Sequence, residues 1–236
     1  MRFLNEKIPY ACEVFIAKAT DGIKPWHHFY GYPQYGASYM LFDLGSPTYL
    51  GNAHCVFPFM NFFLTKPERI AGLNMRFGAG AGYVEKKYHP VNNYKNAAIS
   101  THLNAFLFLG IEGRVRLSTS LHLSGGLAFT HISNGTLRKP NTGLNNVMAS
   151  AGASYAFGTE KPLVEKKYFN LDRKWNYTVY LSGGVKTYTQ YNNTKYTVTG
   201  LSFEVSRRLP EYTSFSGTLD LFYDRSDYAH LVRKEI

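Results

Sequence analysis

Apolar and polar positions alternate with a period of two along most of the chain. In 70–84, Ala71, Leu73, Met75, Phe77, Ala79, Ala81 and Tyr83 hold the odd positions, and Gly72, Asn74, Arg76, Gly78, Gly80 and Gly82 the even ones. In 113–133, Val115, Leu117, Leu121, Leu123, Leu127 and Phe129 oppose Arg114, Arg116, Ser118, Ser120, His122 and Ser124. The same split recurs in 175–188, 196–208 and 214–224. Successive side chains of a strand point to opposite faces, so this pattern predicts strands with one apolar face and one polar or small face. Ten are predicted: 13–19, 34–43, 52–64, 70–84, 98–110, 113–133, 146–158, 175–188, 196–208 and 213–224.

Many of these run well past the ~5–6 residues usual in soluble sheets. A strand that crosses a bilayer needs about 9–11 residues of alternating polarity. The expected fold is therefore all-β, an antiparallel transmembrane β-barrel of about 8–12 strands. It is expected as a single domain over 1–236, with 1–29 an N-terminal segment of unassigned structure and 134–145 the loop region that carries the chemistry. The links Ile111-Glu112 and 65–69 are short, whereas 85–97 and 134–145 are longer and polar. Outer-membrane barrels keep short turns on the periplasmic side, so 113–133 should rise outward and 146–158 descend. The link 159–174 is long although it falls on the short-turn side. Met1–Lys7 contains no apolar export region. With a last strand that ends outside, this reads as a processed or truncated chain.

Composition agrees with twisted strands: 19 Tyr and 17 Phe among 236 residues, with Gly frequent. No run of about 18 apolar residues is present, which excludes a transmembrane helix but not a barrel. The net charge of +10 would ordinarily point to nucleic acid. Here the basic residues form loop doublets, Lys86-Lys87, Arg138-Lys139 and Lys166-Lys167, without interleaved aromatics, so an anionic lipid head group is the better partner. Cys12 and Cys55 read as small hydrophobes. His54, His89, His102 and His122 lack metal-ligand spacing, and neither metal nor cofactor is expected.

The most specific run is His131-Ile132-Ser133-Asn134-Gly135, followed by Pro140-Asn141-Thr142-Gly143-Leu144-Asn145. Asn-Gly and Pro-Asn-x-Gly are turn formers, which suits a hairpin loop. His131 and Ser133, two apart, project to one side, the apolar side of Leu127 and Phe129. Polar groups are costly there unless they act together. A Ser beside a His is the basic unit of acyl transfer. Asn134, next to the serine, is a candidate oxyanion donor. Asn145 shares parity with Val147, Ala149, Ala151 and Tyr155 and should also face outward, near His131.

This run resembles the lipid A 3-O-deacylase (PagL) family, whose motif is His-x-Ser-Asn, a short loop, Pro-Asn-x-Gly and an acid two positions later. His131, Ser133, Asn134, Pro140, Asn141 and Gly143 match it in type and spacing. The resemblance implies an outer-membrane barrel of eight strands with a Ser-His-acid site on its outer wall. It implies hydrolysis of an ester-linked acyl chain of lipopolysaccharide, with lipid A and membrane lipids as partners. Arg138 and Lys139 would then be placed to hold lipid A phosphates. Two features depart from the family pattern. The acid position is Asn145, which can orient the imidazole but lends it no charge, and the strands after residue 170 exceed the eight-stranded barrel. A non-catalytic barrel, porin-like or structural, with a relict motif is the alternative. A soluble lipid-binding barrel is a third reading.

Overall fold

In the computed structural model, the residues described are 4, 6–66, 69–158, 173–188, 194–209 and 213–234. Ten antiparallel strands lie among them: β1 (Tyr10–Ala19), β2 (Gln34–Asp43), β3 (Asn52–Phe63), β4 (Ala71–Val84), β5 (Leu103–Arg116), β6 (Leu121–Ser133), β7 (Leu144–Tyr155), β8 (Trp175–Thr187), β9 (Lys195–Arg208) and β10 (Ser214–Asp224). The fold is all-β, as the alternation predicts. The two helices are α1 (Pro25–Phe29) and α2 (Arg225–Lys234). The chain divides into two compact units, residues 1–135 with 140–167, and residues 136–139 with 168–236.

The first unit is a seven-stranded meander in which each strand pairs with the next, β1 through β7. It curls so that one face becomes concave: Arg76 on β4 reaches Glu13 on β1 with both terminal guanidinium nitrogens, Nη1 and Nη2. Parity assigns the faces. Leu103, Leu107, Leu109 and Ile111 of β5 are exposed, while Asn104, Phe106 and Phe108 between them are buried. The concave side is filled by Phe42, Phe57, Phe106, Val84 and Ile132, with the Phe57 and Phe108 rings stacked at 5.6 Å. Gly78 makes room for this packing; a Cβ there would meet the Phe57 ring at 2.6 Å. The convex side keeps large apolar groups exposed, Leu127 at 64 % and Val147 at 78 %. An apolar outer wall around a filled interior is the arrangement of a small membrane barrel.

Links 44–51 and 85–102 and residues 134–135 and 140–143 lie at one end of this sheet, the upper rim, and 20–33 and 117–120 at the other. Several boundaries differ from expectation, β7 among them, at Leu144–Tyr155 rather than 146–158. Ile111-Glu112 is not a turn, since β5 continues through it to Arg116. The reversal is at 117–120, where the Ser118 hydroxyl accepts the Ser120 and Leu121 N–H groups. That turn is made by a side-chain hydroxyl without Gly, Pro or Asn. The expected start of a strand at residue 98 is also displaced: Ala98, Ile99 and Ser100 are fully buried in the loop, and β5 starts at Leu103. The first strand begins at Tyr10 rather than residue 13.

The second unit carries a three-stranded sheet, ordered β10-β9-β8. Val179, Phe203 and Leu219 lie side by side on one face, and Thr178, Glu204 and Thr218 on the other. Asp224 starts α2 by accepting the Ser226 N–H at 2.9 Å, an N-cap that the apolar pattern does not reveal. The link 159–172 and the doublet Lys166-Lys167 lie outside the described residues.

Candidate functional site

The site lies on the convex wall at the upper rim, where β6 ends and β7 begins. His131 pairs with Leu107 of β5 on one side and Asn145 of β7 on the other, and Ser133 pairs with Ala105. The register therefore brings together two residues fourteen positions apart in sequence. His131 Nδ1 lies 2.7 Å from Asn145 Oδ1, and His131 Nε2 lies 2.8 Å from Ser133 Oγ. An amide oxygen only accepts, so Nδ1 carries the hydrogen and donates it to Asn145. Nε2 is then the free base and accepts the Ser133 hydroxyl hydrogen. The serine hydroxyl is thus hydrogen-bonded to an imidazole whose tautomer is set from behind.

The neighbours on this face are Leu103, Leu107, Phe129 and Val147, all exposed and apolar. Outward-facing polar groups cost free energy in such a wall unless they satisfy one another, and the two hydrogen bonds do this for three side chains. Gly143 closes the site from the loop side with φ +75°, a conformation that favours glycine. A Cβ there would stand 2.9 Å from His131 Cε1. Sequence reasoning assigned Gly143 only a turn role; its close approach to the imidazole depends on the folded loop.

Asn134 turns the other way. Its side chain is buried, with Nδ2 donating to Ser100 Oγ at 3.0 Å and Thr101 Oγ1 at 3.1 Å. Its backbone N–H donates to Asn141 Oδ1 at 3.2 Å. To hold an oxyanion the amide would exchange one of these partners for substrate. Ser100 and Thr101 were not among the expected site residues, and nothing in their local sequence marks them. Arg138 and Lys139 belong to the second unit, where Lys139 Nζ donates to the Tyr188 carbonyl at 2.8 Å. Among the described residues no group of His, Cys, Asp and Glu has metal-site geometry, and no helix is long and apolar enough to cross a membrane.

The wall holds a further polar chain on β2 and β3, at the same end of the sheet. The Tyr39 hydroxyl lies 2.8 Å from His54 Nδ1, and His54 Nε2 stands 3.8 Å from Glu85. Glu85, in the loop after β4, accepts the Asn52 backbone N–H at 2.8 Å, which holds its carboxyl below the usual carboxylate range.

A family model described as lipid A 3-O-deacylase (PagL) matches residues 13–154, more than half of the chain. The chain belongs to the lipid A 3-O-deacylase family. A second model, acyloxyacyl hydrolase, C-terminal domain, matches residues 175–235. It covers β8, β9, β10 and α2, the elements of the second unit. Neither a curated protein nor a solved structure matches the chain. Membership in the PagL family makes ester hydrolysis the general chemistry to consider, and it agrees with the apolar outer wall of the first unit.

Proposed function

We propose that the chain is an outer-membrane serine esterase that removes an ester-linked acyl chain from lipid A of lipopolysaccharide. The supporting observation is the relay from Asn145 through His131 to Ser133, among the exposed apolar neighbours Leu103, Leu107, Phe129 and Val147. An acyl ester of a lipid head group reaches such a site from the bilayer itself. Ser133 Oγ attacks the acyl carbonyl while His131 Nε2 takes its proton. The tetrahedral oxyanion collapses, the bond between the acyl carbon and the sugar oxygen breaks, and His131 returns the proton to the leaving sugar oxygen. Water, deprotonated by His131, then attacks the acyl-serine and releases the fatty acid. Asn145 holds the ring; Asn134 is the proposed oxyanion donor together with backbone amides. Arg138 and Lys139 are proposed contacts for the lipid A phosphates. The reaction needs neither metal nor cofactor.

The relict-motif reading draws on Asn145, since an amide does not stabilise the imidazolium by charge. The packing of Phe42, Phe57, Phe106 and Phe108 on the concave side speaks against a porin-like role. Mass spectrometry of lipid A from cells making wild type, His131→Ala and Ser133→Ala separates the readings. The wild type should lose one acyl chain, and each variant should lose activity by about 10³-fold or more. An unaltered lipid A pattern in the wild-type cells would falsify the enzymatic reading.

A further inference from the structure

The catalytic hairpin is held from behind by one stretch of the loop between β4 and β5. Asn96 is fully buried there. Its Nδ2 donates to the Tyr49 carbonyl at 3.0 Å and the Lys86 carbonyl at 3.1 Å, and its Oδ1 accepts the Ile99 N–H at 3.1 Å. One side chain thus ties two rim links together and folds 96–99 into a tight turn. That turn presents two successive carbonyls to the loop between β6 and β7. Ala97 O accepts the Thr142 N–H at 3.2 Å, and Ala98 O accepts the Gly143 N–H at 3.1 Å. Gly143 is the residue packed against His131 Cε1. Two residues further on, Ser100 and Thr101 accept the amide of Asn134, the residue after Ser133.

We infer that Asn96 is a positioning residue for the catalytic pair, acting through the Ala97 and Ala98 carbonyls on Gly143 and so on the His131 ring. The inference rests on the esterase reading above. Both flanks of the hairpin, Asn134 and Thr142-Gly143, are fixed to the same six-residue stretch, 96–101. Any loosening of that stretch changes the distance between His131 Nε2 and Ser133 Oγ without touching substrate. A misplacement of about 1 Å costs on the order of 100-fold in such chemistry.

The test uses the full chain refolded in detergent, with lipid A in mixed micelles as substrate and a fluorophosphonate probe to read the reactivity of Ser133. Asn96→Ala should lower kcat by roughly 10- to 100-fold with KM within about twofold, and slow phosphonylation in parallel. Thr101→Val, which removes one of the two acceptors of the Asn134 amide at constant shape, should act in the same direction, and Thr101→Ser should restore the rate. A folded Asn96→Ala protein with wild-type kcat and wild-type labelling overturns the inference. So does a rise in KM alone, or a lowered melting temperature with unchanged labelling. If Asn96→Ala does not fold, the Thr101 pair decides: equal rates for Val and Ser overturn it. Loss of the esterase reading is seen separately, as wild-type lipid A cleavage no greater than that of Ser133→Ala. The phosphonylation rate of Ser133 still reports its positioning in that event.

Discussion

Asn145 is the residue at which the site departs from its family pattern. Its Oδ1 fixes the His131 tautomer at 2.7 Å, which is the orienting part of a third residue's task. The remaining part, charge stabilisation of the imidazolium, needs a carboxylate; losing it costs about 10⁴-fold in a well-studied serine protease. Asn145→Glu is therefore expected to raise kcat tenfold or more, measured as fatty acid released from lipid A. A fall would mean that the residue opposite His131 is not the third member. Gly143 makes a second test at this scale. In Gly143→Ala the left-handed backbone costs about 1–3 kcal/mol, and the new methyl stands 2.9 Å from His131 Cε1. A barrel that still folds, with kcat lowered by about tenfold or more, is the expected outcome. Unchanged kcat would show that the ring is not held from this side.

Among the elements, most strands were legible and the exact ends of several links were not. Period-two alternation marks β2, β4, β8, β9 and β10 to within about a residue, because a strand's two faces meet different surroundings at every step. The turn at 117–120 escaped because the Ser118 hydroxyl makes it, and an apolar Leu117 kept the alternation running through it. The link read at 85–97 extends to 102, and its last residues escaped because Asn96 folds 96–99 through the Tyr49 and Lys86 carbonyls, contacts that leave no local signal. This loop also has an acid-sensitive tie. Glu85 holds the Asn52 N–H, and its pKa is lowered, so the bond adds stability above the ordinary carboxylate range and loses it as pH falls through the lowered value.

For the whole molecule, the exposed apolar wall has a direct consequence. Leu127, 64 % exposed in the middle of β6, faces outward on the same side as His131. In a lipid bilayer, Leu127→Arg should cost about 2–4 kcal/mol of unfolding free energy, the range for a cation near the bilayer midplane. Urea unfolding in vesicles measures it, and a cost near zero would place that face in water. At this scale the division between sequence and structure becomes clear. The sequence alone determined the β class, the sidedness of the strands and the shared outward direction of His131, Ser133 and Asn145, because these follow from alternation within single strands. Only the tertiary structure decided that Asn145 reaches His131, that Gly143 packs against its ring and that Asn96 braces the hairpin. Those contacts depend on strand register and on buried hydrogen bonds between segments distant in sequence, and no local pattern of residues encodes such distances.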